Sequence, residues 1–409
     1  MSTLPEVPLS ASAPHRSLCT DCGVSRSSNP KLCASACQFI QPDYERYETQ
    51  VHGRPRRLEV EDEMHFGPFL QMHKARLKVP LEGAQWTGIT TRMAQKLLLS
   101  GLVDAVLTVT ADASDRWRPV PILIDRAEDM HQARGMRMGY APLLSLLEPA
   151  LQKGYRKLAV IGIPCQIYAL RALEKSLGLE ALYVIGTPCS DNTTTENFHQ
   201  FLKLIAPEPS EVTYLEFKAN YHVELRFKNA PTQEIPFLQL PLSDLPKDFF
   251  PLTCRSCVDY TNALSDITVG YMAGEGEQWV IARNERGEQL LNLLGDEVQL
   301  TPTQSAGKRH SAVMGFKKNV ELAAGGLPLR KMPRWLRPVV SWLMPRIGPR
   351  GLEFARTRVE MKAIEAVLHL RRELPSRIKH MLPAHIWHLV KAYDLEPQAH
   401  ERIMKKTET

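Results

Sequence analysis

The sequence predicts an α/β fold of mixed sheets with flanking helices, preceded by a cysteine-bearing loop segment and followed by a helical extension. Two observations carry this. Short Val/Ile/Leu-rich runs such as residues 157–162 (KLAVIG) alternate with helix-period segments such as 165–178 (CQIYALRALEKSLG), the pattern of strands joined by crossover helices. The chain has 409 residues, of which 44% are hydrophobic, enough apolar mass for two or three packed units.

Taken in order, residues 88–101 (GITTRMAQKLLLSG) carry apolar side chains at helical spacing and stop at Gly101. Residues 102–110 (LVDAVLTVT) then read as a buried strand. The strand at 157–162 feeds the helix at 165–178, which stops at Gly178, and 181–188 (ALYVIGTP) is another strand. Residues 214–228 (YLEFKANYHVELRFK) alternate as two strands turning near Ala219 and Asn220, followed by a proline-rich connection over 235–254. Residues 266–272 and 278–284 read as strands and 285–294 as a helix. The expected parts are 1–75, cysteine-rich; 76–155 and 156–310, both α/β; and 311–409, basic and helical. No internal repeat stands out.

Composition narrows the function. No apolar run approaches the roughly 18 residues of a membrane span, and the first residues lack the apolar stretch of a signal peptide. The expectation is a soluble, cytoplasmic protein. In a reducing compartment its eight cysteines suit metal ligation or thiol chemistry better than disulfides. A formal net charge of +6 suits an acidic partner, and no nucleic-acid-binding motif accompanies it.

The cysteines fall into two sets of four. Cys19, Cys22, Cys33 and Cys37 lie in one short loop at C-x2-C and C-x3-C spacing. Cys165 and Cys189 each follow a predicted strand, and Cys254 and Cys257 form a C-x2-C pair. Parallel neighbouring strands would bring Cys165 and Cys189 together. Structural zinc fits the first set and a redox dithiol the last pair, and single buried cysteines are often small hydrophobes. Two complete sets of four also match the ligation of two 4Fe-4S clusters.

Three stretches, GIPCQIYALR (162–171), CRSCVDYTNALSDITVGYMAG (254–274) and VIARNERG (280–287), resemble motifs of the family of coenzyme F420 hydrogenase/dehydrogenase beta subunits. The likeness spans about residues 15 to 310. It implies a flavoprotein with FAD and two 4Fe-4S clusters, held by Cys19, Cys22, Cys33 and Cys37 and by Cys165, Cys189, Cys254 and Cys257. Within the family, TQVHGRPR, EGAQWTGITTR, GTPCSDNTTTENFHQFL and GPRGLEFAR are most similar to chlorophyll-pathway reductases. The implied activity is reduction of the 8-vinyl group of divinyl (proto)chlorophyllide a by reduced ferredoxin. Reduction of a 7-hydroxymethyl group, an electron-transfer protein without its own organic substrate, and a zinc-stabilised scaffold are the alternatives.

The resemblance also nominates flavin contacts. Gln85, Trp86, Thr87, Gly88 and Thr91 open a helix and could cap it or bind phosphate there. Arg137 stands where the family has a lysine and would meet the pyrophosphate. Gln166, Arg283 and Asn284 are further candidates. The helix start at Cys165 should favour the thiolate that iron needs. The proton donor is open among His73, Asp191, Tyr221 and His222. In the tail, Arg330, Lys331, Arg334, Arg337 and Arg346 accompany Trp335 and Trp342. That segment reads either as an interfacial element able to touch a thylakoid surface or cover a tetrapyrrole, or as a packed extension with solvated arginines.

Overall fold

The structure, a computed structural model, describes residues 18–40, 42–305, 307, 309–327 and 332–401. Its strands are β1 (Gln71–Leu77), β2 (Ala105–Ala111), β3 (Pro119–Ile124), β4 (Lys157–Gly162), β5 (Ala181–Gly186), β6 (Val212–Phe217), β7 (His222–Phe227), β8 (Gln233–Pro236), β9 (Ile267–Gly274), β10 (Glu277–Ala282) and β11 (Val298–Pro302). Eight of them form one mixed sheet in the order β11-β1-β10-β9-β5-β4-β2-β3, and β6-β7-β8 form a second. The helices before the tail are α1 (Leu32–Ser35), α2 (Tyr44–His52), α3 (Glu61–Phe66), α4 (Ile89–Leu99), α5 (Leu147–Gln152), α6 (Pro164–Leu173), α7 (Thr195–Ile205), α8 (Leu252–Arg255) and α9 (Glu285–Leu294). The tail adds α10 (His310–Ala323), α11 (Arg337–Ile347), α12 (Gly351–Glu373), α13 (Ile378–Met381) and α14 (Ala384–Lys391).

The two-residue period of the strands sorts their side chains between two faces. Val106, Ile185 and Val280 point to one face, where Ile89, Met93 and Leu97 of α4 and Leu290 and Leu294 of α9 cover them. Leu107, Val160 and Val184 point to the other, against Ile167 and Leu170 of α6. Ile281 and Trp279 share that second face with Ala363, Val367 and Leu370 of α12. A Cβ at Gly270 would fall 1.9 Å from the Trp279 ring, so the buried indole requires glycine on the neighbouring strand.

The expected part boundaries do not separate independent sheets. β1, which crosses the boundary at 75/76, and β2 and β3, from the second part, hydrogen-bond into the same sheet as strands of the third. β1, β3, β8 and β11 went unanticipated for physical reasons. β3 carries Pro119 and Pro121 and β11 is mostly exposed; both lie at sheet edges, where prolines are tolerated and apolar patterning is weak. β1 alternates its buried positions with His73, Lys74 and Arg76.

The tail is two things. α12 is sunk into the core through Ala355, Val359, Ala363 and Val367, as a packed extension would be. α11 leaves Trp342 64% exposed, and Trp335 just before it is 75% exposed. Arg330 and Lys331 lie outside the described residues.

Candidate iron-sulfur and flavin site

The parallel pairing of β4 and β5 sets Gly162 opposite Gly186. Each cysteine follows three residues later, so Cys165 and Cys189 leave adjacent strand ends side by side. Asn262 holds that edge, donating to the carbonyls of Gly162 (2.8 Å) and Thr187 (3.3 Å). α8 brings Cys254 and Cys257 to the same place. All four thiols line one cavity, together with Thr20, Phe39 and Tyr140. The eight cysteines are free thiols. Among the described residues no three His, Cys, Asp or Glu side chains converge as ligands of a single metal ion. The dispersed set surrounds a space instead.

The N-terminal set folds as one loop. Gly23 turns it at φ 107°, and a Cβ there would fall within 2.5 to 2.8 Å of the backbone of Ser145, Pro142 and Leu144, so the loop lies directly on that turn. The Leu144 amide donates to the Cys22 carbonyl at 2.9 Å. Burial pushes the Cys22 thiol up to about 12, and the neighbouring Cys33, Cys37 and Cys19 add to the rise. Burial likewise pushes Cys37 up to about 11, with Cys33 and Cys19 contributing. Ionising the set together would require a cation to compensate the charge.

The two sets abut. Thr20, between Cys19 and Cys22, lines the same cavity as Cys165. Gln38, next to Cys37, donates to Cys257 Sγ at 3.7 Å. Backbone amides also reach sulfur: Asp21 N to Cys19 Sγ at 3.3 Å and Asn192 N to Cys254 Sγ at 3.4 Å. The expected ease of ionising Cys165 is corrected. Burial raises its thiol well above the ordinary value, with Cys257, Cys254 and Cys22 adding to the rise and Thr20 alone opposing. At a fully desolvated helix start the loss of water outweighs the dipole.

The tail braces the wall of this cavity through Asp191 and Cys254. Lys362 of α12, 1% exposed, donates to Asp191 Oδ1 at 2.8 Å, to Glu365 Oε2 at 3.1 Å and to the Cys254 carbonyl. Arg358 reaches Asp191 Oδ2 at 3.3 Å. Burial would lower Lys362, but Asp191 and Glu365 hold it charged. Asp191 is therefore locked in an ion pair at the cavity wall. Of the other proton-donor candidates, Tyr221 donates to the Pro349 carbonyl, and His222 Nδ1 faces the Asn220 carbonyl at 3.0 Å. His73 keeps a buried Nδ1 with no partner among the described residues.

The loop before α4 faces the loop at 134–140. Arg134 Nη1 donates to the Glu82 carbonyl at 2.9 Å, and a Cβ at Gly135 would lie 3.7 Å from the Gly83 carbonyl. Arg137 has no carboxylate partner among the described residues; its Nη1 and Nη2 donate to the Met136 and Arg134 carbonyls, and its Nε is buried without a partner. Burial lowers its guanidinium, and Arg116 lowers it further. A half-buried cation without a counter-ion fits a pyrophosphate.

Several nominated residues are instead engaged in the fold. The Trp86 amide is taken by Glu216 Oε1 at 2.7 Å, and its ring stacks on Tyr271 at 5.2 Å and 7°. Thr87 Oγ1 accepts from Leu77 N at 3.1 Å and faces Gln278 Oε1 at 3.3 Å. Gly88, at φ 86°, packs on Ala84 and Leu81 as the N-cap of α4, and Thr91 is buried in its first turn. Gln85 is half-buried, its carbonyl accepting from Gly88 N. Gln166 uses both amide ends, accepting from Ile163 N at 3.2 Å and donating to the Ala141 carbonyl at 3.0 Å. It therefore cannot reach out of its turn, as expected for a flavin contact, but ties α6 to the loop of Tyr140. Arg283, 1% exposed, donates to the carbonyls of Phe66, Pro68 and Thr261. Asn284 caps α9 and donates to Asp266.

Tyr140 and Lys362 escaped the sequence reading. Tyr140 lines the cavity with a buried hydroxyl that lacks a partner among the described residues. Its only signal was its place three residues after Arg137. Lys362 sits in a tail helix with no motif.

Comparison with known proteins accords with this layout. The family model described as "Coenzyme F420 hydrogenase/dehydrogenase, beta subunit N-term" matches residues 72–148, and its counterpart for the C terminus of the same protein matches 155–305. The chain is 37% identical over 395 residues to the chloroplastic 7-hydroxymethyl chlorophyll a reductase of Oryza sativa subsp. japonica, covering 93% of this chain and 83% of that one. It is 35% identical over 383 residues to the uncharacterized protein all1601 of Nostoc sp., covering 93% and 95%. A chain in the xenon-derivatized F420-reducing [NiFe] hydrogenase complex of Methanosarcina barkeri shares the fold, with a TM-score of 0.57 at 18% identity over 75% of this chain and 93% of that one.

Proposed function

Because the chain belongs to the family of coenzyme F420 hydrogenase/dehydrogenase beta subunits, we propose that it is an iron-sulfur flavoprotein reducing a chlorophyll precursor with electrons from reduced ferredoxin. The carrying observation is the contact of two four-cysteine sets, with Gln38 beside Cys37 donating to Cys257 Sγ and Thr20 lining the cavity of the dispersed set. Cys19, Cys22, Cys33 and Cys37 would hold the outer 4Fe-4S cluster, and Cys165, Cys189, Cys254 and Cys257 the inner one. Arg137 would neutralise the FAD pyrophosphate, with Gln85, Trp86, Gly88 and Thr91 on the facing loop. Ferredoxin delivers single electrons at about −400 mV, and a flavin converts them into a two-electron reduction.

The residues of this chain set the path. Thr20 and Gln38 keep the two thiol sets in contact, and Lys362 compensates the negative charge that thiolates bring to the cavity. The Trp86 ring stacks on Tyr271, which joins the α4 loop to β9. The favoured substrate is the 8-vinyl group of divinyl (proto)chlorophyllide a, which gains two electrons and two protons to become ethyl. Reduction of a 7-hydroxymethyl group to methyl, with loss of water, is the second reading; the identity to the rice enzyme favours it. Among the described residues no helix is long and apolar enough to cross a membrane.

The test is anaerobic turnover of the purified chain with reduced ferredoxin, offering divinyl and 7-hydroxymethyl pigments in parallel. Ethyl product alone supports the first reading and methyl product alone the second. Flavin reduction without either product points to an electron-transfer protein. A colourless, zinc-loaded protein overturns all three.

A further inference from the structure

A surface helix ordinarily hides its apolar stripe against the core. α11 and the turn before it do the reverse. Trp335 is 75% exposed, Val339 51%, Trp342 64% and Ile347 54%, while Ser341 on the opposite side is buried. Positions 335, 339, 342 and 346 recur at helical spacing, so one continuous ridge of indole, aliphatic and guanidinium groups faces solvent. The Arg346 guanidinium lies over the Trp342 ring at 4.3 Å. The protein side is anchored independently: Tyr221 donates to the Pro349 carbonyl and Arg309 to the Ile347 carbonyl at 2.9 Å.

Charge along this stretch is one-sided. From 322 to 352 the sequence carries Arg330, Lys331, Arg334, Arg337, Arg346 and Arg350 and no Asp or Glu. The ridge is thus apolar at its crest, and every charged residue of the segment that carries it, 322–352, is a cation. Tryptophan rings seat at the boundary of headgroup and acyl chain, and arginines beside them meet lipid phosphates.

We propose that α11 with the Arg334–Leu336 turn is an interfacial anchor that lays this protein on an anionic bilayer. The anchor acts peripherally, by insertion of Trp335 and Trp342 to headgroup depth. No residue of α11 lines the cysteine cavity, so the anchor does not depend on the assignment of cofactor or substrate.

The test is sedimentation of the full chain with vesicles of phosphatidylcholine containing phosphatidylglycerol, against phosphatidylcholine alone, at low and high salt. The companion variant is Trp335→Ala/Trp342→Ala, two exposed positions whose removal leaves the core intact, checked by circular dichroism. The expected result is binding to the anionic vesicles only, weakened by salt, and at least tenfold weaker in the double variant. Equal binding of the variant, or a wild-type chain that stays in the supernatant with anionic vesicles, overturns the proposal. Should the wild type ignore vesicles while the variant loses affinity for ferredoxin, the ridge is a protein-docking surface and the lipid assignment is wrong.

Discussion

Lys362 Nζ lies 2.8 Å from Asp191 Oδ1 across 171 residues of sequence, joining a buried tail helix to the wall of the four-cysteine cavity. Each charge is compensated by the other, and breaking a buried pair from one side leaves an uncompensated ion. Lys362→Met should destabilise the chain by about 3–5 kcal/mol. The double variant with Asp191→Asn should recover part of that loss. Urea unfolding of both checks it; equal stability of wild type and Lys362→Met would show that the pair is not formed in solution.

Arg137 is a half-buried cation with no carboxylate beside it among the described residues. Arg137→Met should therefore leave the stability of the flavin-free chain unchanged or slightly raised, because an unpaired buried charge is removed. FAD affinity should fall about 10- to 100-fold, the loss of a charged hydrogen-bonding group. Flavin titration followed by fluorescence reads the affinity, and unchanged affinity would remove Arg137 from the pyrophosphate site.

The two cysteine sets should fail differently. Cys33→Ala takes a ligand from a local loop, so the chain should keep its FAD and about four of eight irons, with ferredoxin-driven turnover abolished. Cys165→Ala takes one from the strand-to-helix turn that Gln166 ties to the Tyr140 loop, so inner cluster and FAD should be lost together, or folding should fail. Iron and flavin counts decide. Loss of FAD from Cys33→Ala with full FAD in Cys165→Ala would reverse the inner and outer assignment.

His52 should make the fold acid-sensitive. Burial lowers its pKa to about 3, with Arg283 adding to the effect, while its Nε2 faces the Ala263 carbonyl at 2.8 Å. The unfolded chain takes up this proton near pH 6.5 and the folded chain does not, so stability is full above about 6.5 and falls as pH drops toward 3. Between pH 7.5 and 5 the contribution of His52 should shrink by about 2 kcal/mol. Stability measured across that range for wild type and His52→Gln should show the steeper fall in the wild type; parallel curves would mean that His52 titrates normally.

The strand-to-helix units around Cys165 and Cys189 were legible because period-2 apolar runs, helical spacing and glycine stops are local signals that burial on both sheet faces imposes on neighbouring residues. The edge strand β3 was not, since its prolines and half-exposed positions carry no such pattern. Among the flavin candidates, residue type nominated Arg137, Arg283 and Gln166 alike, and nothing nearby in sequence distinguished them. Their partners did: three distant carbonyls consume Arg283, two backbone groups consume Gln166, and Arg137 is left with an unpartnered Nε.

The sequence by itself determined that eight cysteines form two sets of four, that one set is a local loop, and that two of the others end parallel strands. Spacing along the chain is covalent, and it survives without a fold. Only the tertiary structure decided that the two sets touch through Thr20 and Gln38, that a tail helix without a motif braces the cavity wall with Lys362, and that α11 turns its tryptophans to solvent. These depend on which surfaces lose water against one another, a property of pairs of residues far apart in sequence that local composition does not encode.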